Sequence, residues 1–251
     1  MAIDGLAVRV RQPYKSEVSN TKAWTCRKGG FALIVMAGSD VNGRFHMATA
    51  NHSGTFNLCV LHVLAVFIYT LLSLTGSTND CPCWEMSALS NAISEGKLPS
   101  KYFIIGDEAF SCTNQLLSPY PGRGIGKYKD SFNYWLSHSR QSIERAFGML
   151  TMRWGIFWRK FRFAHERWSL VIILCMKLHN ICLDRNFSVP SHRFHEDNES
   201  RDYNLVYDNN DEEEVRLLRN RAVGDRRKYI TDLLESEGRG RPFHASCNSR
   251  E

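Results

Sequence analysis

The sequence predicts an α/β domain, and three observations carry that prediction. Its first half holds short, near-continuous apolar runs bounded by turn residues. Its second half spaces apolar residues three and four apart over long stretches. Its composition, 43% hydrophobic and 23% charged, is that of a globular chain and excludes wholesale disorder, collagen and a polytopic membrane protein. At 251 residues there is enough chain to bury a sizeable core. No secretory signal opens it, because Asp4 interrupts the first residues, and eight cysteines are too few for a disulfide scaffold. The expected compartment is therefore reducing and intracellular. A net charge of +6 is compatible with nucleic acid but too weak to require it.

Residues 2–10 read as a first strand carrying one acid, Asp4. Residues 31–37 (FALIVMA) read as a strand buried on both faces, set between Gly29-Gly30 and a turn at residues 39–43. Residues 44–50 are the returning strand of a hairpin, and residues 102–105 (YFII) a further short strand ending at Gly106-Asp107. From Asp130, placed as an N-cap, Phe132, Leu136, Ile143, Phe147, Leu150, Trp154 and Phe157 mark an amphipathic helix or helix pair. Residues 166–183 form a second, more apolar helix. Residues 187–211 read as an acidic flexible linker, and residues 212–251 as a charged helix, alone on the surface, with a tail.

Cys175, His179 and Cys182 share one helix face and read as core rather than as zinc ligands. Cys81-Pro82-Cys83 reads as a helix start, not a redox pair. Gly122, Gly124 and Gly126 lack the strand–turn–helix setting of a phosphate loop. Residues 55–74 (TFNLCVLHVLAVFIYTLLSL) carry no charge and match the length of a bilayer span. A transmembrane helix, a buried core helix and an insertion are all open readings of it.

The residues able to carry chemistry are acids set among apolar runs: Asp4, Asp107 and Glu144. Each has a plain alternative, a turn or cap role for the aspartates and an i,i+4 pair with Arg140 for Glu144. Carboxylates from two strand ends and one helix can also hold two divalent cations for phosphodiester cleavage. Between Gly122 and Arg167, ten basic residues face three acids, with Trp135, Trp154, Phe157, Trp158, Phe161 and Phe163 interleaved. Such a stretch can follow a phosphate backbone, or simply be a solvated helix face.

Ordered blocks along the chain resemble the DDE endonuclease domain of PIF/Harbinger transposases and their domesticated nuclease relatives. They are Ala2-Ile3-Asp4-Gly5, Arg27-Lys28-Gly29, Gly76-Ser77-Thr78-Asn79-Asp80 with Trp84 and Ser87, and Ile104-Ile105-Gly106-Asp107 with Leu117, Pro119 and Tyr120. Phe132-Asn133, Leu136-Ser137, Arg140, Ile143-Glu144 and Ala146-Phe147-Gly148 follow, then Leu178-His179-Asn180. The resemblance implies an RNase H-like three-layer α/β/α fold with a mixed central sheet over residues 1–186. It implies a catalytic trio of Asp4, Asp107 and Glu144, with Asp80 as a further metal ligand or a helix N-cap, and Mg²⁺ or Mn²⁺ as cofactor. It implies a DNA substrate, a nuclear location and a separate Myb-like partner supplying sequence choice. Against the family pattern, residues 54–75 look inserted, with a retained intron as the favoured origin. The competing expectation is a catalytically silent, domesticated or decaying product that binds DNA or a protein partner.

Overall fold

The computed structural model describes residues 1–26, 29–50, 84, 87–99, 102–189 and 225–242. Asp80, the apolar segment 55–74 and nearly all of the expected linker lie outside the described residues. The first strand, β1 (Ala2–Val10), pairs antiparallel with β2 (Phe31–Ser39), which pairs antiparallel with β3 (Phe45–Ala50). On the other side β1 pairs parallel with β4 (Ile104–Ile105), and β4 parallel with β5 (Leu116–Leu117). The result is a mixed five-stranded sheet of order β3-β2-β1-β4-β5.

The FALIVMA run forms β2 as expected, and its buried positions face both sides of the sheet. The hairpin to β3 turns through Asp40, whose carboxylate accepts from Asn42 N at 2.9 Å and Arg44 N at 3.0 Å. Gly43 takes φ 80 there, a backbone state that glycine adopts without a Cβ penalty. The strand at YFII is only Ile104–Ile105, because Tyr102 and Phe103 are exposed. A two-residue strand such as β5 is too short to show a period, and the sequence reading has no strand there.

Helix α1 (Ala88–Ser94) is capped by Ser87, whose hydroxyl accepts from Ser90 N at 3.1 Å. Helix α2 (Lys127–Arg153) is one continuous helix followed by the 3-10 turn Gly155–Trp158. It starts three residues before the expected cap. Gly126 holds the N-cap position with φ 86, and Asp130 lies inside the first turn, paired with Arg241 at 3.3 Å. Helix α3 (Trp168–Asp184) follows a 3-10 turn at His165–Arg167.

Side chains alternate between the two faces of β1. Ala2, Val8 and Val10 join Phe132, Leu136, Ile143 and Leu150 of α2 and Ile172 and Met176 of α3 in the larger core. Ile3 joins Ile34, Met36, Ile104, Leu116 and Trp84 in a second core, against which Leu89 and Ile93 of α1 pack. Helices thus cover the sheet on both sides, an α/β architecture. Phe157 and Phe161 are buried, with Trp154 and Phe163 packed against them, so these aromatics serve the core rather than a binding surface.

Helix α4 (Asp225–Ser236) does not lie alone on the surface. Arg227 is almost wholly buried, its guanidinium 4.1 Å from the Tyr120 ring centre and bonded to the carbonyls of Ser118 (3.3 Å) and Pro119 (3.0 Å). Thr231 meets the Tyr120 hydroxyl at 3.1 Å. A charged helix docks here because its buried guanidinium meets two carbonyls and an aromatic face, although Arg227 Nε is left without a hydrogen-bond partner among the described residues. Among the described residues, no helix is long and apolar enough to cross a membrane.

Candidate active site

The site begins with strand register. Ala2 pairs with Ile105 across the parallel β1–β4 edge. Asp4 and Asp107 each lie two residues further along, so they come out side by side at the same level. Asp4 belongs to the α2-facing set of β1, and both aspartates are buried. Gly106 keeps the backbone close to its neighbours here: a Cβ on it would lie 2.6 Å from the Phe110 ring. Asp107 then turns the chain, its carboxylate accepting from Ala109 N at 3.0 Å.

Helix α2 brings the third acid. Ile143 is fully buried, and Glu144 beside it sits at the border of the core face with a side chain 38% exposed. Arg140, one turn earlier, joins the two elements. One guanidinium nitrogen donates to Asp4 Oδ2 at 2.9 Å and the other lies 2.7 Å from Glu144 Oε1. The i,i+4 pair expected from sequence is therefore present. The bond to Asp4 was not legible, because 136 residues separate the partners.

The electrostatics of Asp4 describe the whole site. Burial pushes its carboxyl up to about 6, against an ordinary 3.8. The Arg140 guanidinium and the Gly5 N–H pull it down, while Asp107 and Glu144 push it up. Asp107 and Glu144 thus act on Asp4 across the space that Arg140 bridges. Hard oxygen donors short of positive charge are the chemical setting that suits Mg²⁺ or Mn²⁺. In this conformation the guanidinium lies between them, and among the described residues no three acidic, His or Cys side chains are gathered closely enough to grip an ion.

Three other motif residues, Asn133, Asn180 and His179, hold the frame of the fold. Asn133 accepts from Tyr120 N at 2.7 Å and donates to Tyr120 O at 2.9 Å, locking α2 to the loop after β5. Asn180 clamps Phe45 of β3 in the same two-pronged way, at 3.0 and 2.7 Å. His179 is buried against the Phe45 ring and bonds to Gly43 O at 3.1 Å. Burial lowers its pKa, so it is neutral, and burial raises the Cys175 thiol to about 11. The protonated Cys175 thiol is not the state of a zinc ligand, which must be a thiolate.

The sequence profile of the DDE superfamily endonucleases matches residues 51–180, just over half of the chain. The chain belongs to this family. The matched stretch of the DDE endonuclease includes Asp107 and Glu144, and Asp4 lies before it. Two curated relatives agree with the Harbinger-type resemblance. The mouse (Mus musculus) protein named "Putative nuclease HARBI1" is 28% identical over 139 residues, 53% of this chain and 39% of its own length. The Arabidopsis thaliana "Protein ALP1-like" is 28% identical over 134 residues, 47% of this chain and 32% of its own. The match thus spans between a third and two fifths of the curated relatives' lengths. No solved structure matches the chain.

Proposed function

We propose that the chain is a divalent-metal-dependent DNA endonuclease of transposase origin, with Asp4, Asp107 and Glu144 as the metal-holding trio. The observation that supports this reading is the placement of two buried aspartates at one level of neighbouring parallel strands, with Glu144 tied to Asp4 through Arg140. The family membership supplies the reaction class. A bound metal pair would supply an activated water and a stabilised leaving oxygen. The chain's own part is to hold three hard donors beside a buried strand edge. Asp80 is retained in the proposal as a further metal ligand.

The fold belongs to the same reading. A five-stranded sheet with only β2 antiparallel to β1, β4 and β5, and helices on both faces, is what an RNase H-like three-layer α/β/α domain requires. DNA would run along α2 and the turn after it, where Arg123, Lys127, Lys129, Arg159, Lys160 and Arg162 are exposed. Such cations read phosphates and give salt-dependent affinity without base choice. Sequence choice then falls to a separate Myb-like protein, and the place of action to the nucleus.

The test is nicking of supercoiled plasmid with Mg²⁺ or Mn²⁺ by the wild type and by Asp107→Asn. Metal-dependent nicking that disappears in the variant supports the proposal. Equal nicking by both proteins assigns the activity elsewhere. Folded wild-type protein that binds DNA without nicking points to the silent, DNA-binding alternative.

A further inference from the structure

We infer that Arg140 is the counter-ion of the metal-free site and that a divalent cation enters by displacing it. The inference rests on the metal-nuclease reading and specifies how that site is loaded. Three observations carry it. The guanidinium is placed between acids on two different elements, bonded to Asp4 Oδ2 at 2.9 Å and 2.7 Å from Glu144 Oε1. Its side chain is only 13% exposed and that of Asp4 only 5%, so the Asp4 arm of the bridge is interior, while Glu144 at 38% leaves the other arm open to solvent. And the site, as closed around Arg140, offers no ready-made group of ligands among the described residues.

An ion shared by Asp4 and Glu144 needs carboxylate oxygens about 2.0–2.1 Å away for Mg²⁺, and Arg140 now engages one oxygen of each acid. A guanidinium cannot lose its proton, so it leaves only by swinging away as a cation. Placing a dication beside it in a half-dry space sets like charges against each other at low effective dielectric. The two cations are therefore alternative occupants. Arg140 keeps Asp4 and Glu144 from repelling each other until metal arrives. Once displaced, its fork suits a phosphate oxygen pair at the same place.

The experiment is calorimetric titration of Ca²⁺ into the full chain, without DNA, for the wild type, Arg140→Gln and Asp4→Asn. If the closed state holds nine-tenths of wild-type molecules, removing the competitor tightens the apparent Kd about tenfold. Arg140→Gln should therefore bind Ca²⁺ about tenfold more tightly than the wild type, and Asp4→Asn more weakly. The second measurement is the Arg140 side-chain Nε–H signal in the wild type, identified by its loss in Arg140→Lys. It should move as Ca²⁺ saturates the site. Equal or weaker Ca²⁺ binding by folded Arg140→Gln, or an Arg140 signal unmoved at saturation, overturns the inference and leaves the nuclease reading standing. Should Arg140→Gln fail to fold, the wild-type signal alone decides. Absence of Ca²⁺, Mg²⁺ and Mn²⁺ binding in every folded version overturns the metal reading itself.

Discussion

Replacing Asp4 with asparagine should make the metal-free protein more stable at neutral pH while removing the proposed nuclease activity. The folded site holds the Asp4 carboxyl at about 6, against 3.8 for an ordinary aspartate, first through burial and then through Asp107 and Glu144. At about 1.4 kcal/mol per pKa unit, the difference corresponds to about 3 kcal/mol. The sign follows from linkage: a carboxyl whose pKa is raised by folding favours the fold while protonated in both states. That contribution is fully present below about pH 3.8 and is lost as the pH rises through about 6. Asparagine does not titrate, so the stability of Asp4→Asn minus that of the wild type should grow by about 3 kcal/mol between pH 4 and 7 and then level off. Glu17, held down near 2 by Arg11, titrates in the opposite sense but is common to both proteins and cancels in the difference. The assay is urea unfolding in EDTA across that range, read as the difference between the two proteins. A difference that stays flat would refute the argument that burial holds the Asp4 carboxyl above its ordinary range.

Other expectations follow from the packing. Ile143→Ala empties a fully buried position beneath Glu144 and should cost about 2–5 kcal/mol by urea unfolding. Asn180→Ala leaves the N–H and C=O of Phe45 without their clamp and should cost about 1–3 kcal/mol, with hydrogen exchange rising first in β3. Arg227→Met keeps bulk but strips the partners from the Ser118 and Pro119 carbonyls; a loss of about 1–3 kcal/mol, with proteolysis beginning around α4, is expected. Lys129→Gln should weaken DNA binding alike for all sequences and reduce the slope of log affinity against log salt by about 1.

β2 was legible because burial on both faces leaves an unbroken apolar pattern, and β1 as a mostly apolar run carrying one acid. β5 was not, since Leu116 and Leu117 alone carry no period. The start of α2 was misplaced because Asp130 has the chemistry of a cap, yet Gly126 already begins the helix and Asp130 turns to Arg241. Asp4, Asp107 and Glu144 could be singled out because acids beside apolar runs are costly unless they converge. The bond of Arg140 to Asp4 and the burial of Arg227 could not, because an arginine gives no local sign of a partner more than a hundred residues away. Trp154, Phe157, Phe161 and Phe163, interleaved in sequence with the basic residues of a possible phosphate-following stretch, belong to the core in the fold, while Trp158 stays exposed.

The two ends of β1 give α2 a further property. At one end Arg140 holds Asp4; at the other, Phe161, just past the helix, forms a parallel bridge with Val10, with Phe161 N donating to Arg9 O at 3.0 Å and Arg11 N to Phe161 O at 2.8 Å. From Arg140 to Arg153 the helix advances about 20 Å. From Asp4 to Val10 the strand advances about 20 Å as well. The helix and the turn that follows it are therefore tied to the same strand at two points and run in the same direction. A slip of one turn would displace Glu144 by about 5.4 Å and break both pins together. The spacing between the acids is thus gauged by lengths of backbone rather than by the acids themselves, so a one-residue insertion within the helix between Arg140 and Glu144 should disturb the site as surely as a substitution within it.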